Sequence, residues 1–595
     1  MKFRTWLGIL PAIALLSLAL LPSCGSSGGG SGSLHGTLAL SLTDAASDQV
    51  ESFRVTVTAV DLLKSNNTTT HLLAAPVEVD LADMTDTGQL LNSIQATIGS
   101  YTQASITLDM STASCILAGQ SAAAAIEDDQ GNAIAASITV PVNFPAFFSL
   151  GGNAHKLIEL DLDLAQSLVI DTGNNRVQFA PSFVVRTLLA QQKPVWVAGT
   201  ISSVDEPNSA FVLELLDANS TLIGFLDCTS DNATVFQTDG VPATGATGLT
   251  ALAAMTVGTW VQAQGTLDPA SSAILVSNVN AGVGTWNGGT DIIEGHVIDR
   301  TGGTGADATL TVLGRSSNAA HDTFQYNTTF TVSTTFAGTN VVRHASASAY
   351  DTDEINIGQQ VRVFGTLAGL AMDADTGVLR EQPTWIYGTA AAAPAGGQMT
   401  LSLDKVGLRD QTLFNWSADP ANFVTDVGTL ADALSITTGT HTLERGYFAG
   451  VGGGATDFSA SNVVNADTAP ALVLVRNVLA TGLDVTLTCG STQIDISVSG
   501  TAGTGELAVL DQGFVGVTDL PTSPTPNIVP AASVGLYTIR VAGSGLTVYT
   551  NFSSFSTALN TLVGGGAAVR HLAAVGTWDS GTSTLSATLT SVLVQ

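Results

Sequence analysis

Positive charge is what this chain most lacks. Across 595 residues there are 19 Lys and Arg against 49 Asp and Glu, a net charge of −30. So few cations cannot line a nucleic-acid groove or hold an anionic lipid surface, and aromatic stacking platforms are equally thin at 6%. Nucleic acid is therefore excluded, while cations, neutral sugars and other proteins remain as partners. The acidity itself serves solubility. Beyond the N-terminus no apolar run reaches the roughly 20 residues of a membrane-spanning helix. The eight histidines, His35, His71, His155, His296, His321, His344, His441 and His571, are scattered without HExxH or paired spacing, so no zinc site is expected. What is abundant is glycine, 61 residues, with Thr, Ser, Ala and Val, a composition for short strands and tight turns and hence an all-β chain of three to five domains.

Residues 1–23 have the layout of an export signal: Lys2 and Arg4, an apolar run from Trp6 through Leu21, then small residues before Cys24. Leu21-Pro22-Ser23-Cys24 resembles the bacterial lipobox, and a Gly/Ser tether, residues 24–33, follows. The resemblance implies cleavage before Cys24, lipidation of its thiol and, with Gly25 next to it, passage to the outer membrane, facing either the periplasm or the exterior. With Cys24 lipidated, Cys115, Cys228 and Cys489 are an odd set that allows one disulfide at most.

Residues 34–190 alternate as half-buried strands do. Leu38, Leu40 and Leu42 share one face, and Phe53 to Val60 and Val77 to Leu81 continue the pattern. Later Ile158, Leu160, Leu162 and Leu164 alternate with Glu159, Asp161 and Asp163, which predicts one core face and one solvated acidic face. Seven or so such strands read as a β-sandwich. The opening GTLALSLTDA, the FRVTVTAVDL strand, a Gly99-Ser100-Tyr101-Thr102 turn before ASITLDM, and HKLIELDLDLAQSL together resemble the bacterial lipoprotein domain of unknown function 4382. That resemblance implies a location and a fold, and no activity.

The remainder repeats one phrase. Gly258 to Val279 reads as a β-hairpin with a kinked first strand, opened by Gly258 and broken by Gly265. It returns at Gly358 to Leu367, at Gly439 to Phe448 and, with glycines ten apart, at Gly566 to Trp578. Leu249, Leu252 and Met255 predict a short helix before the first copy; Leu430 and Leu434, and Phe552, Phe555 and Leu559, fill that slot later. Strand, strand, strand, short helix, strand, strand is the order of an OB-like barrel. The predicted units are 191–282, 290–390, 397–467 and 470–595, with Thr389 to Gln398 as a linker closing the second. In the third, Thr442 and Glu444 stand at inward positions, which leaves its register open. The openings and GxxVxxxGTL hairpins resemble a second bacterial family, domain of unknown function 5666.

Chemistry is hard to find in this pattern. Gly25 to Gly29 matches a serine-hydrolase elbow but lies in the tether, not between a strand and a helix. Glu159, Asp161 and Asp163, and Glu127-Asp128-Asp129, are the oxygen clusters that come nearest to a Ca²⁺ site. Met372 to Gly377 (MDADTG) reads as a hairpin turn. Trp196, Trp260, Trp385 and Trp578 lie in strand patterns that favour packing over sugar stacking. The sequence thus points to a non-catalytic, lipid-anchored envelope protein without cofactor or resident metal, with a binding or scaffolding role toward envelope proteins or glycans. A surface glycan-binding or adhesion protein is the first rival, and a secreted hydrolase the second.

Overall fold

A computed structural model of the chain describes residues 35–595 apart from 46–49, 74, 84–87, 129, 172, 182, 187–193, 217–221, 269–270, 272, 287, 319–323, 477–484, 499–504, 512–513, 533–534 and 543–545. The signal segment, Cys24 and the tether lie outside the described residues. The fold is all-β: a β-sandwich followed by three closed five-stranded OB-like barrels and, in place of the expected fourth, a larger β unit whose ten strands form one sheet without that ring.

Alternation builds the sandwich. His35–Ala45 sits between Gly88–Thr97, antiparallel, and His155–Asp163, parallel, and Phe183–Arg186 extends the sheet beyond the latter. The facing sheet centres on Gly99–Leu117 between Val50–Lys64 and Ser137–Leu150. Leu38, Leu40 and Leu42 meet Phe53, Tyr101, Ile106, Ile158 and Leu160 in one core. Two local expectations are corrected. Gly99 to Thr102 is the start of a 19-residue strand, not a turn; the bend falls at Ile98, and Gly99 takes φ +149° to leave it. Glu159 does not face solvent, being 1% exposed, because it shares a strand face with Leu157, which packs into the core of the first barrel.

In the first barrel Val195–Asp205 pairs with Ala210–Leu216 and with Trp260–Leu267. Leu222–Thr229 runs antiparallel to Ala210–Leu216 and parallel to Ile274–Ala281, which returns to Trp260–Leu267 and closes a ring of five strands. The helix Gly245–Ala253 adds Leu249 and Leu252 to the barrel core. The same ring recurs with Asp291–Thr301, Ala308–Ser317, Phe324–Thr334, Gln360–Ala368 and Ala371–Gln382. It recurs again with Thr384–Ala390, Gln398–Val406, Phe423–Asp426, His441–Phe448 and Phe458–Asn465. Thr384–Ala390 is therefore the first strand of the third barrel rather than the end of the second, and the Ala/Pro/Gly stretch after it is that barrel's first loop. In the fourth unit Pro470–Arg476 pairs with Val569–Asp579, and Leu536–Val541 runs parallel to Thr584–Val594, with Phe552, Phe555 and Leu559 of the helix Phe552–Gly564 in the core. In the third unit the helical slot is a 3-10 turn, Ala431–Ser435. It buries Ala433 and leaves Leu434 91% exposed, against the expectation from spacing.

The paired glycines divide their work. Gly258, Gly358, Gly439 and Gly566 all take positive φ, between +87° and +95°. Gly265, Gly446 and Gly576 each sit at a shift in hairpin register, and Gly365 lies within the shift between Phe364 and Thr366. At all four of these a Cβ would collide with a carbonyl oxygen of the partner strand, from Leu275, Asp373, Ser459 and Ser586 in turn. The extra residues of the fourth copy accompany a second shift between Val569 and His571. MDADTG is a bulge inside Ala371–Gln382: Thr366 pairs with Asp373 and Phe364 with Val378, so residues 374–377 loop out opposite Gly365.

The units are joined by the few cations the chain has. Val195 and Trp196 extend the sandwich sheet through parallel pairing with Gly88 and Gln89. Arg315 of the second barrel reaches Asp80 of the sandwich at 3.4 Å and Glu294 at 3.0 Å, while Arg362 holds the other Glu294 oxygen at 2.8 Å. Burial alone would raise the Glu294 carboxyl, but Arg362 and Arg315 outweigh it and bring it down to about 2. Both guanidinium groups lie over Trp286. Arg409 of the third barrel pairs with Glu51 of the sandwich at 3.2 Å. Arg380, 2% exposed, donates to the Gln237 side chain and the Gly284 carbonyl of the first barrel. Arg343 lies between the rings of Tyr350 and of Tyr447 in the third barrel and pairs with Glu381 at 2.6 Å. Tyr387, Leu443 and Val464 of the third unit share a cluster with Val509 of the fourth.

Candidate functional site

A cleft of about 160 Å³ opens where the second and third barrels meet. Beneath it lies a packed aromatic cluster: Phe423 and Phe448, both buried, come from strands of the third barrel, and half-buried Trp416 stacks against Phe414 and Phe448 with ring centroids 5.1 and 5.9 Å apart. Trp416 is fixed by its indole N–H, which donates to the Gln411 carbonyl at 2.8 Å. One wall is the glycine-rich loop between His441–Phe448 and Phe458–Asn465, with Gly450, Gly452, Gly453 and Gly454 lining the space. The other wall is Asn356 and Ile357 of the second barrel.

Glycine is required in that loop for a physical reason. A Cβ on Gly450 would meet the Asp353 carbonyl oxygen at 2.7 Å, and Gly452 takes φ +75°. The loop can therefore lie flat on the second barrel, where the Val451 N–H donates to the Asp353 carbonyl at 2.7 Å. Asn356 donates to the Ala449 carbonyl at 2.7 Å, and Gln359 accepts the Phe448 N–H at 3.1 Å. Gly358 contributes too, since a side chain there would strike the Phe448 ring. The loop is thus held against the second barrel by one main-chain bond and by the side chains of Asn356 and Gln359. Asp457 accepts the Val424 N–H through Oδ2, at 2.8 Å.

None of the residues singled out from sequence lines this cleft. Glu159 is buried beside the first barrel, and the side chains of Asp161 and Asp163 lie outside the described residues. Asp128 accepts the Gln130 and Asn132 N–H groups within its own turn, which lowers its pKa. Among the described residues no group of three or more His, Cys, Asp or Glu is placed to hold a metal ion. Cys115, Cys228 and Cys489 are free thiols; burial pushes Cys489 up to about 11 and the other two further. Trp196, Trp260 and Trp385 are half-buried and Trp578 is buried. His71 and His441 have carboxylate partners, Asp61 at 2.6 Å and Asp467 at 2.9 Å, and the bond from Asp467 raises the pKa of His441. The sequence reading missed Trp416, Gly454 and Asp457. The signal that could have found them is the glycine run 450–454, directly after a hairpin strand.

The architecture is that of a multi-barrel β protein built on a β-sandwich. Residues 35–181 match the family model described as Domain of unknown function (DUF4382), in line with the resemblance of the N-terminal part. No curated protein and no solved structure matches the chain. Among the described residues no helix is long and apolar enough to cross a membrane.

Proposed function

We propose that the chain is a non-catalytic protein of a bacterial cell envelope, anchored by lipid at Cys24, whose β units act together as a binding or scaffolding body. Residues 1–23 direct export, Gly25 permits passage to the outer membrane, and residues 24–33 space the body from the anchor. The tandem barrels follow the pattern that resembles domain of unknown function 5666. The observation that carries the reading is the use made of scarce cations: Arg315, Arg343, Arg380 and Arg409 all lie at contacts between units. A chain that commits its charge to fixing its parts against one another is suited to presenting a rigid surface. Metabolic palmitate labelling tests the anchor: wild type is labelled and Cys24→Ala is not, and equal labelling overturns it. Affinity capture from envelope extracts with the full chain, expected to retain an envelope protein or glycan, tests the binding role.

A further inference from the structure

We infer that the outer face of the first barrel's third strand, Leu222–Thr229, is a docking surface for an extended basic segment of another protein, with Phe225 as the apolar anchor. The inference rests on the binding role proposed above and gives its partner a chemistry. Alternation lays out the face. Leu226 and Cys228 point into the barrel core, so Phe225, Asp227 and Thr229 point outward. Phe225 is 57% exposed and Leu222, at the start of the strand, 48%; Leu275, paired beside Thr229 on the neighbouring strand, is 44% exposed. At about 3.3 Å per residue the row runs for roughly 20 Å. One exposed apolar side chain is ordinary, but three along one strand pair mark a contact surface.

The second barrel shows the same stretch in use. Leu226 opposite Leu213 corresponds there to Phe330 opposite Val312, so Leu222 falls at the place of Tyr326. That strand is docked on the sandwich: the buried Tyr326 hydroxyl lies 3.3 Å from that of Ser52, and the Asn327 amide donates to the Leu117 carbonyl at 3.3 Å. In the first barrel the matching side chains stay exposed, and charge identifies what would cover them. From Val195 to Ala281 the sequence has eight Asp and Glu and no Lys, Arg or His, whereas residues 291–382 and 384–465 of the next two barrels carry five and three Lys and Arg. The cation that the second barrel lends, Arg380, sits at Gln237 and Gly284. Both near neighbours of Phe225 on the face are carboxylates, Asp227 two residues on and Glu214 directly across. Among the described residues neither is in an ion pair, though Glu214 accepts the Thr200 and Ser202 hydroxyls at 3.5 and 3.4 Å. Such a face attracts Lys and Arg, and a net charge of −30 opposes a second copy of the chain. A segment that alternates basic and apolar residues meets both requirements, its apolar side chains packing on Leu222, Phe225 and Leu275.

Fluorescence anisotropy with the full chain supplies the test, using a short labelled peptide that alternates lysine with leucine and a matched one that alternates glutamate with leucine. Wild type is expected to bind the lysine peptide in the micromolar range and not the glutamate peptide. Phe225→Ser, at a side chain already exposed, should weaken binding at least about tenfold with an unchanged melting temperature. Asp227→Asn should weaken it several-fold while leaving the anchor in place. Leu434→Ser, at a leucine 91% exposed on the third barrel, should bind as wild type does, which separates this face from the general attraction of a cationic peptide to an acidic chain. No binding of the lysine peptide, equal affinity in Phe225→Ser, or an equal loss in Leu434→Ser overturns the inference. So does self-association of wild type in sedimentation that Phe225→Ser abolishes, which would give the face to a second copy. If envelope extracts still yield a captured partner in any of these cases, the binding role stands and lies on another surface; a capture that retains nothing overturns the role itself.

Discussion

Glu444 stands where the first two barrels carry Ala263 and Val363, five residues after the opening glycine of the hairpin. Its strand neighbours Ile386 and Val463 are core residues, so its carboxyl points into the third barrel and is fully buried. Thr425 donates to Oε1 at 3.4 Å, and Oε2 has no hydrogen-bond partner. Burial raises its pKa from 4.5 to about 8, against a smaller opposing effect of Thr425. A carboxyl with a raised folded-state pKa stabilises the fold fully below its unfolded value and loses that contribution as pH rises through the folded one. The third barrel should therefore weaken between about pH 4.5 and 8, by up to several kcal/mol at about 1.4 kcal/mol per unit. Thermal unfolding of the full chain at pH 5 and pH 9 should show this loss, and Glu444→Gln should reduce it, leaving the share of Glu381, whose carboxyl burial also raises, to about 7. A wild-type profile with no pH slope would show the carboxyl to be paired. The sequence placed Glu444 at an inward position, which made the third copy's register doubtful. The structure keeps the register and accepts the polar residue.

At the scale of the hairpin, the two glycines predict different costs. Gly258 has open space around it but φ +89°, so Gly258→Ala should cost about 1–2 kcal/mol from backbone strain alone. Gly265→Ala drives a methyl into the Leu275 carbonyl at the register shift, and should cost at least about 3 kcal/mol or prevent folding of the first barrel. Denaturant midpoints of the two variants give the comparison; equal losses would mean that the shift relaxes. This much of the fold was legible because a left-handed residue and a bulge recur at fixed spacing, and local backbone demands leave a mark in one stretch of sequence. The third barrel's start was not. Thr384–Ala390 follows the preceding strand almost without a break, and its membership depends on pairing with residues 52 to 62 positions later. The cleft was illegible for the same reason: Trp416, Gly454 and Asn356 come from separate stretches of two barrels and meet only after both have folded.

For the whole molecule, the junctions decide how the units are held against one another. Arg315 and Glu294 are 11% and 14% exposed, so their pairing is shielded from salt. Arg315→Ala leaves Asp80 without this contact and Glu294 with Arg362 alone, a loss on the order of 3 kcal/mol for a nearly buried network. Solution scattering should then show a larger radius of gyration and proteolysis should cut between the sandwich and the second barrel, whereas added salt should do neither to wild type. An unchanged scattering profile would place the restraint elsewhere, in the shared sheet at Val195. Four of the junctions use different pairings: Asp80 with Arg315, Glu51 with Arg409, Gln237 with Arg380, Tyr447 with Arg343. Barrels of one topology are therefore no longer interchangeable. Where a run of identical copies can gain or lose a member by recombination, removing the second barrel here takes away the partners of Asp80, Gln237 and Tyr447 at once. The lineage of this chain can still vary residue by residue, but its copy number is fixed by the chemistry between the copies.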